Sequence, residues 1–252
     1  MSWQNKIEYP YEPASLGTQQ NIRENYNVMG EISQMKKFEL TSEFITNIFG
    51  IKLFRIKALV EFGNVKEGEL GGFVEKEENL DQSGNAWVHG NAEVYGNARV
   101  YGNARVYGNA RVYGNARVSG NARVSGNAWV HGNAEVYGNA RVSGNAEVSG
   151  NAWVSGNAEV YGNARVYGNA EVSGSARVSG DADYTYIHGF GNCYRTTTFF
   201  RTKEHGICVV CGCFYGTLDE FRNKVKETHG DTKIGKEYLM VADLMEFKFK
   251  EE

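Results

Sequence analysis

The arginines and histidines at regular spacing in the middle of the chain are the residues best suited to chemistry. Arg105, Arg123 and Arg141 are each 18 residues apart, and His89 and His131 lie 42 residues apart in the same segment. Guanidinium groups bind anions, and a neutral imidazole accepts a proton from a hydroxyl or an amine near physiological pH. The spacing therefore predicts an anion-binding surface, a general base, or both, depending on how this segment folds.

Thiols and an imidazole near the C-terminus form a second set. Cys211, Cys213 and His229 are residue types that bind zinc, and Cys193 and Cys208 accompany them. Because side chains alternate along a strand, Cys208 points away from Cys211 and Cys213, so three ligands are not available without a kink. Buried structural thiols are therefore the preferred interpretation, and zinc is the alternative.

A six-residue repeat positions the arginines and histidines. Glycine recurs at every sixth position from Gly84 to Gly180, in the pattern Gly-Asn-Ala-x-Val-x. Ala and Val are two residues apart, so in a strand they point to one side, which is apolar and forms a core. Gly and Asn tolerate positive φ better than most residues and therefore suit a corner. Each hexad thus predicts a short strand followed by a corner.

Coiling is the arrangement that stacks such short strands without long exposed edges. Three hexads make a triangular coil of about 18 residues, whereas two hexads make a two-sided coil of about 12 residues. The narrower core of the two-sided coil suits Ala but crowds the many Val side chains. The sequence therefore predicts a mainly β protein built on a triangular, single-stranded β-helix.

The triangular coil sorts the outward residues before each Val into three columns, because every third hexad stacks on the same face. The first face carries Trp87, Arg105, Arg123, Arg141, Glu159 and Arg177; the second carries Glu93, Arg111, Trp129, Glu147, Arg165 and Asp183; the third carries Arg99, Arg117, Glu135, Trp153 and Glu171.

The first face places three like charges on neighbouring strands, which costs stability unless an anion or salt screens them. Arg105, Arg123 and Arg141 are therefore the candidate anion or partner site. The alternative is that the guanidinium groups stack on Tyr107 and extend into water. On the second face, the aromatic column Tyr95, Tyr113 and His131 is either a binding ladder or a set of ordinary β-surface residues.

The run Val94-Tyr-Gly-Asn-Ala-Arg99 resembles the hexapeptide repeat of the left-handed β-helix superfamily of trimeric acyltransferase-like proteins. The segment Leu53–Leu80, with Gly63-Asn-Val-Lys-Glu-Gly-Glu-Leu-Gly-Gly-Phe-Val-Glu75, is similar to uncharacterised acetyltransferase-like proteins of bacteria and phages. This resemblance implies a left-handed coil, a trimer, a histidine base in a groove between subunits and an acyl donor of the coenzyme A type. His89 and His131 are the candidate bases, although no partner acid for either is evident.

Composition limits the classes of partner. The chain has 252 residues, of which 41% are hydrophobic, and a net charge of −3 with a pI near 6.0. No overall basic field is present to attract nucleic acid or an anionic membrane, and no apolar run is long enough to span a bilayer. The first residues are polar and unlike a signal peptide. We expect a cytoplasmic protein that binds neither nucleic acid nor a membrane.

Four segments are predicted along the chain: an N-terminal extension at 1–34, an N-terminal β cap at 35–83, the β-helix at 84–183 and an α+β domain at 184–252. In the N-terminal cap, Phe38–Leu40 and Ile51–Val60 are predicted strands, and Leu80 takes the Ala position of a degenerate hexad. In the last domain, the predictions are strands at 194–201 and 207–214, a helix from the capping box at Thr217 to His229, a helix at 236–244 and a strand at 245–250.

No loop interrupts the repeat, and His89 and His131 fall on adjacent faces instead of converging. We therefore expect a non-enzymatic binding or structural scaffold that uses an outer face or the C-terminal domain to bind an unknown protein or an anionic ligand. The alternative is a hexapeptide-repeat acyltransferase using a coenzyme A-linked donor. Self-association is compatible with either interpretation.

Overall fold

A computed structural model describes residues 36–191, 194–202 and 204–250. The predicted extension at 1–34 and Cys193 lie outside the described residues. The chain divides into two units, Met1–Lys36 and Lys37–Glu252, and all of the architecture below belongs to the second.

Most strands of the protein contain only two residues, because each hexad reaches a corner after Val. Three longer strands come first: β1 (Phe38–Thr46), β2 (Lys52–Ala58) and β3 (Leu70–Val74), followed by a 3-10 turn at Glu77–Asn79. The two-residue strands are β4 (Trp87–Val88), β5 (Glu93–Val94), β6 (Arg99–Val100), β7 (Arg105–Val106), β8 (Arg111–Val112), β9 (Arg117–Val118), β10 (Arg123–Val124), β11 (Trp129–Val130), β12 (Glu135–Val136), β13 (Arg141–Val142), β14 (Glu147–Val148), β15 (Trp153–Val154), β16 (Glu159–Val160), β17 (Arg165–Val166), β18 (Glu171–Val172) and β19 (Arg177–Val178).

These strands form three parallel sheets, in which each strand pairs with the strand three hexads later. The sheet orders are β19-β16-β13-β10-β7-β4, β1-β2-β3-β5-β8-β11-β14-β17 and β18-β15-β12-β9-β6. Paired residues are 18 apart, as in Arg123 opposite Arg141. This register confirms the triangular coil and the three predicted columns of outward residues, and it excludes the coil of 12 residues.

The core of the coil consists of the repeated Ala and Val side chains. Every Val from Val88 to Val178 and every Ala from Ala86 to Ala176 is at most 1% exposed. The prediction that Ala182 also enters the core is wrong, because the repeat ends in a 3-10 turn at Asp181–Asp183 and leaves Ala182 exposed. Tyr184, six residues after Val178, takes the next buried position.

The corners explain why the repeat retains Gly and Asn. The corner glycines from Gly84 to Gly174 have φ between 62° and 73°, a conformation that disfavours side chains. At Gly120, an added Cβ would also lie 2.9 Å from the backbone nitrogen of Gly138. The Asn side chains form hydrogen-bonded ladders between coils, as where Asn115 donates to Asn133 at 3.0 Å. The corner residues are therefore fixed by geometry.

The N-terminal cap extends the sheet of the second face with antiparallel strands β1 to β3. Phe38 and Trp87 are buried and pack edge to face over the first coil. Leu80 pairs with Val100, 20 residues away, so it occupies a Val position and the predicted Ala position is wrong. Lys37 donates to the carbonyl oxygen of Ala86 at 3.0 Å, and burial lowers its pKa to about 8.

The C-terminal cap is a four-stranded antiparallel sheet covered by two helices. Its elements are β20 (Tyr184–Phe190), β21 (Arg195–Thr202), β22 (Gly206–Cys211), β23 (Phe214–Thr217), α1 (Leu218–His229) and α2 (Lys233–Phe249). One side of the sheet, with Phe200 and Cys208, continues the core of the coil. The other side, with Phe199 and Val209, packs against the helices. The sheet therefore separates two hydrophobic cores.

Two predictions for this cap are wrong and one is confirmed. The predicted strand at 207–214 is a hairpin of β22 and β23 that turns at Gly212 and Cys213. The predicted strand at 245–250 is helical, because Met245 and Phe249 continue the buried stripe of α2. The capping box is present, since Thr217 Oγ1 accepts from the Glu220 N–H at 3.2 Å. None of the helices in the described ranges is long and apolar enough to cross a bilayer.

Candidate functional site

The first face presents a column of arginines on three hydrogen-bonded neighbours, β7, β10 and β13. Arg123 and Arg141 are exposed and Arg105 is half-buried. Arg141 Nη1 lies 3.7 Å from Glu159 Oε1, so its charge is partly balanced within the face. Arg105 and Arg123 have no acidic ion-pair partner among residues 36–191, 194–202 and 204–250. This column therefore leaves two cations open to an external anion.

Hydroxyl groups lie beside these cations. Tyr107 and Ser125 each follow an arginine by two residues on the same side of the strand. No contact between Tyr107 and the guanidinium groups of Arg105 or Arg123 occurs among the cation–π pairs of the described residues. The first face thus offers alternating guanidinium and hydroxyl donors, a set that suits a carboxylate or phosphate oxygen.

The second face balances its charges internally. Arg111 Nε lies 3.5 Å from Glu93 Oε2, and the Arg111 guanidinium also lies 5.7 Å from the ring centre of Trp129. Glu93 is buried, so this ion pair compensates a carboxylate that water reaches poorly. The second face therefore has less need of an external ion.

The aromatic column on the second face is a continuous stack. Tyr95 lies 5.0 Å from Tyr113, and Tyr113 lies 4.8 Å from His131, with the rings within 6° of parallel. Burial raises the pKa of Tyr95 to about 12 and also raises that of Tyr113. Both phenols stay protonated at physiological pH, so the stack serves as packing surface and not as a source of acid or base.

His131 has the partner acid that sequence analysis failed to identify. Its Nε2 lies 2.8 Å from Glu147 Oε1 on the next coil. The signal is a separation of 16 residues, two fewer than one coil, which places a residue after Val diagonally opposite a residue before the next stacked Val. This carboxylate holds the imidazole in one orientation, as a general base requires.

His89 lies in a different environment at the N-terminal end of the first face. Its Nδ1 lies 4.0 Å from Glu69 Oε1, and its ring packs edge to face with Trp87. Burial lowers the pKa of His89, and the charge of Arg105 lowers it further while Glu69 opposes both effects. His89 and His131 follow strands of different faces, so the structure does not join them in one site.

Cys211, Cys213 and His229 line one cavity of about 360 Å³ in the C-terminal cap. Cys211 ends β22, whereas Cys213 is exposed in the following turn, so the prediction that they share a strand face is wrong. Within the described ranges, no three His, Cys, Asp or Glu side chains are arranged to hold a metal ion. Cys208 lies in the opposite core, where burial raises the pKa of its thiol.

Stacked two-residue strands, an Ala and Val core and hydrogen-bonded Asn corners define a β-solenoid repeat protein. The family described as the YdcK beta-solenoid repeat matches the repeat in overlapping segments at 92–106, 104–118, 116–132, 134–150, 140–162, 152–174 and 164–180. These matches lie within about a third of the chain and concern the solenoid, not its caps. No curated protein matches the chain.

Proposed function

We propose that this protein is a non-enzymatic scaffold whose first face binds an acidic segment of a partner protein. The observation that carries the proposal is the column of Arg105, Arg123 and Arg141 on successive strands, with Arg105 and Arg123 lacking acidic partners among the described residues. Carboxylates on a partner would supply the missing counter-charges and form charge-assisted hydrogen bonds with the guanidinium groups.

The rigidity of the coil supports this proposal. Neighbouring strands of a sheet lie about 4.8 Å apart, so the three guanidinium groups start from fixed positions along the face. The strands of Arg105, Arg123 and Arg141 are each held by the hydrogen bonds of the next coil, as where the Arg123 N–H donates to the Ala140 carbonyl at 2.9 Å. A partner therefore has little backbone to order on binding, which lowers the entropic cost of association.

The continuity of the repeat favours binding over catalysis. No loop is inserted between Gly84 and Gly180, so the coil itself provides no lid or arm that would enclose an acyl donor. The flat, charged first face is better suited to a partner surface, where complementary potentials give specificity and fast association.

The direct experiment measures binding of a fluorescein-labelled hexaglutamate peptide to the full chain by anisotropy at low and physiological salt. We expect saturable binding that weakens with salt and that falls several-fold in Arg123→Gln. Arg117→Gln is the matched control, because Arg117 lies in an identical Gly-Asn-Ala-Arg-Val-Ser hexad on the third face. It removes the same charge and is expected to leave binding close to that of the parent chain.

Equal losses in the two variants would attribute binding to net charge and refute a site on the first face. Absence of binding at low salt would refute the acidic partner. A thermal shift with sulfate alone, abolished by Arg123→Glu, would support the arginine column but indicate a small anion as its ligand.

Acyl transfer is the second candidate, and the contact between His131 and Glu147 favours it. An imidazole oriented by a carboxylate is able to remove the proton of an acceptor hydroxyl or amine, with coenzyme A as the leaving group. Retention of coenzyme A, or release of free thiol from acetyl-coenzyme A that His131→Gln abolishes, would support this function. A chain that neither binds coenzyme A nor consumes the donor would contradict it.

A further inference from the structure

The cavity in the C-terminal cap lies between the hairpin of β22 and β23 and the two helices. Its apolar wall comes from Phe214, Phe221, Val225 and Tyr238, and its volume is about 360 Å³. Cavities of about 300 to 1,000 Å³ with mainly apolar walls and a few polar groups are typical of small-molecule sites. The cavity is thus large enough for a compact organic molecule.

The charged groups that line this cavity are all basic. Arg195, Lys224 and His229 contribute nitrogen groups, and no Asp or Glu is among the lining residues. Lys224 is already paired with Glu227 at 2.9 Å. Arg195 has no ion-pair partner in the described part of the chain, although it shares a neighbouring cavity with Glu171. Arg195 is therefore the cation available to a ligand.

The hairpin turn places Arg195 over the cavity. Its Nη1 lies so close to Gly212 that a Cβ at this position would collide with the guanidinium group. Gly212 also has a φ of 60°, which suits glycine in a tight turn. The Cys211-Gly212-Cys213 sequence thus brings two thiols and an arginine to one edge of an apolar cavity.

We propose that this cavity binds a small amphipathic carboxylate, with its apolar body against Phe221 and Val225 and its carboxylate on Arg195. Apolar walls favour the body of the ligand, and an unpaired guanidinium is suited to bind a carboxylate with two parallel hydrogen bonds. This inference concerns a different surface from the first face, so the two proposals stand or fall separately.

The experiment compares octanoate, 1-octanol and acetate as ligands of the full chain by isothermal titration calorimetry. We expect saturable binding of octanoate, binding of octanol weaker by roughly tenfold or more, and no measurable binding of acetate, because a hydrogen bond to a charged group contributes about 1.5–3 kcal/mol. In Arg195→Gln, octanoate is expected to bind no better than octanol.

A second pair of variants tests the location. Thr228→Trp fills the cavity from an exposed position on α1 and is expected to abolish binding of both long-chain ligands. Asn223→Trp, on the same helix but outside the cavity lining, is the matched control and is expected to retain binding. Circular dichroism and thermal unfolding of both variants establish that they fold like the parent chain.

Occupancy has an independent readout in the exposed thiol. Octanoate is expected to slow alkylation of Cys213 by iodoacetamide, measured by peptide mass spectrometry. Binding that survives Thr228→Trp would overturn the assigned cavity. Equal affinity for octanoate and octanol would overturn the role of Arg195, and absence of saturable binding would overturn the proposal as a whole.

Discussion

The first and second faces are built from the same hexads around the same core, yet they treat charge in opposite ways. On the second face, Glu93 lies beside Arg111, and His131 lies against Glu147. On the first face, Arg105 and Arg123 follow each other without an acid between them. The backbone sets the same spacing on both faces, so the outward residue alone decides whether a face neutralises itself.

The comparison also separates structural from functional positions. Asn, Ala, Val and the corner Gly satisfy the coil, and the residues before and after Val are the free choices. Like charges opposite each other on neighbouring strands destabilise a sheet, whereas opposite charges contribute about 0.2–1 kcal/mol. A sequence chosen for stability alone would alternate the first face as it does the second, which supports a binding role for the arginine column.

The largest expected effect comes from moving one charge from the surface to the core. Val124→Asp places an unpaired carboxylate among buried side chains and is expected to cost more than about 4 kcal/mol, enough to prevent folding of the central coils. The adjacent Arg123→Asp is the matched control, since the same side chain then points to solvent. Urea unfolding followed by circular dichroism measures both. A folded Val124→Asp with unchanged stability would contradict the assigned core.

A smaller effect, with opposite signs on the two faces, is expected from removing one arginine. Arg111→Gln leaves the buried carboxylate of Glu93 without its partner and is expected to destabilise the chain by about 1–3 kcal/mol. Arg123→Gln relieves repulsion from Arg105 and Arg141 and is expected to stabilise it by a few tenths of a kcal/mol, an advantage that shrinks with salt.

Urea midpoints of the two variants and the parent chain, at low and high salt, decide this prediction. Arg165→Gln on the second face is a useful control, because Arg165 is exposed and should change stability little. If Arg111→Gln and Arg123→Gln shift stability in the same direction, the proposed difference between the faces is wrong.

Most of the coil was predictable because one residue type at each repeat position has one structural task. Val is buried sixteen residues or more beyond any local contact, yet its period of six already indicates which strands stack. The column map, and with it the alignment of Arg105, Arg123 and Arg141, follows from arithmetic on the repeat. The diagonal contact of His131 with Glu147 was also within reach of that arithmetic.

The parts without a repeat were less predictable. The position of Leu80 depends on two extra residues before Val88, and periodicity cannot show an insertion where the pattern is already degenerate. The turn at Gly212 divides an apolar run that alternation alone predicts as one strand. The cavity beside it needs β22, β23, α1 and α2 together, and such long-range packing leaves no mark at a single sequence spacing.

The smallest expected effect concerns His89, where the first face meets the N-terminal cap. Its pKa is lowered mainly by burial, with Arg105 contributing, from the usual value of 6.5. Just below pH 6.5 the unfolded chain binds a proton that the folded chain does not, so stability rises with pH through this window and is lost on acidification. His89→Gln is expected to remove this dependence, measured by urea unfolding between pH 5 and about 7.5.

Arg105→Gln sharpens the comparison because it changes the charge next to His89 without touching the imidazole. Loss of that cation is expected to raise the pKa of His89, in the direction that Glu69 already favours, and so to weaken the pH dependence. An NMR titration of the His89 ring protons measures the change, with Arg117→Gln on the third face as the control. An unmoved pKa would mean that Arg105 directs its charge away from the cap and towards solvent, where an acidic partner would meet it.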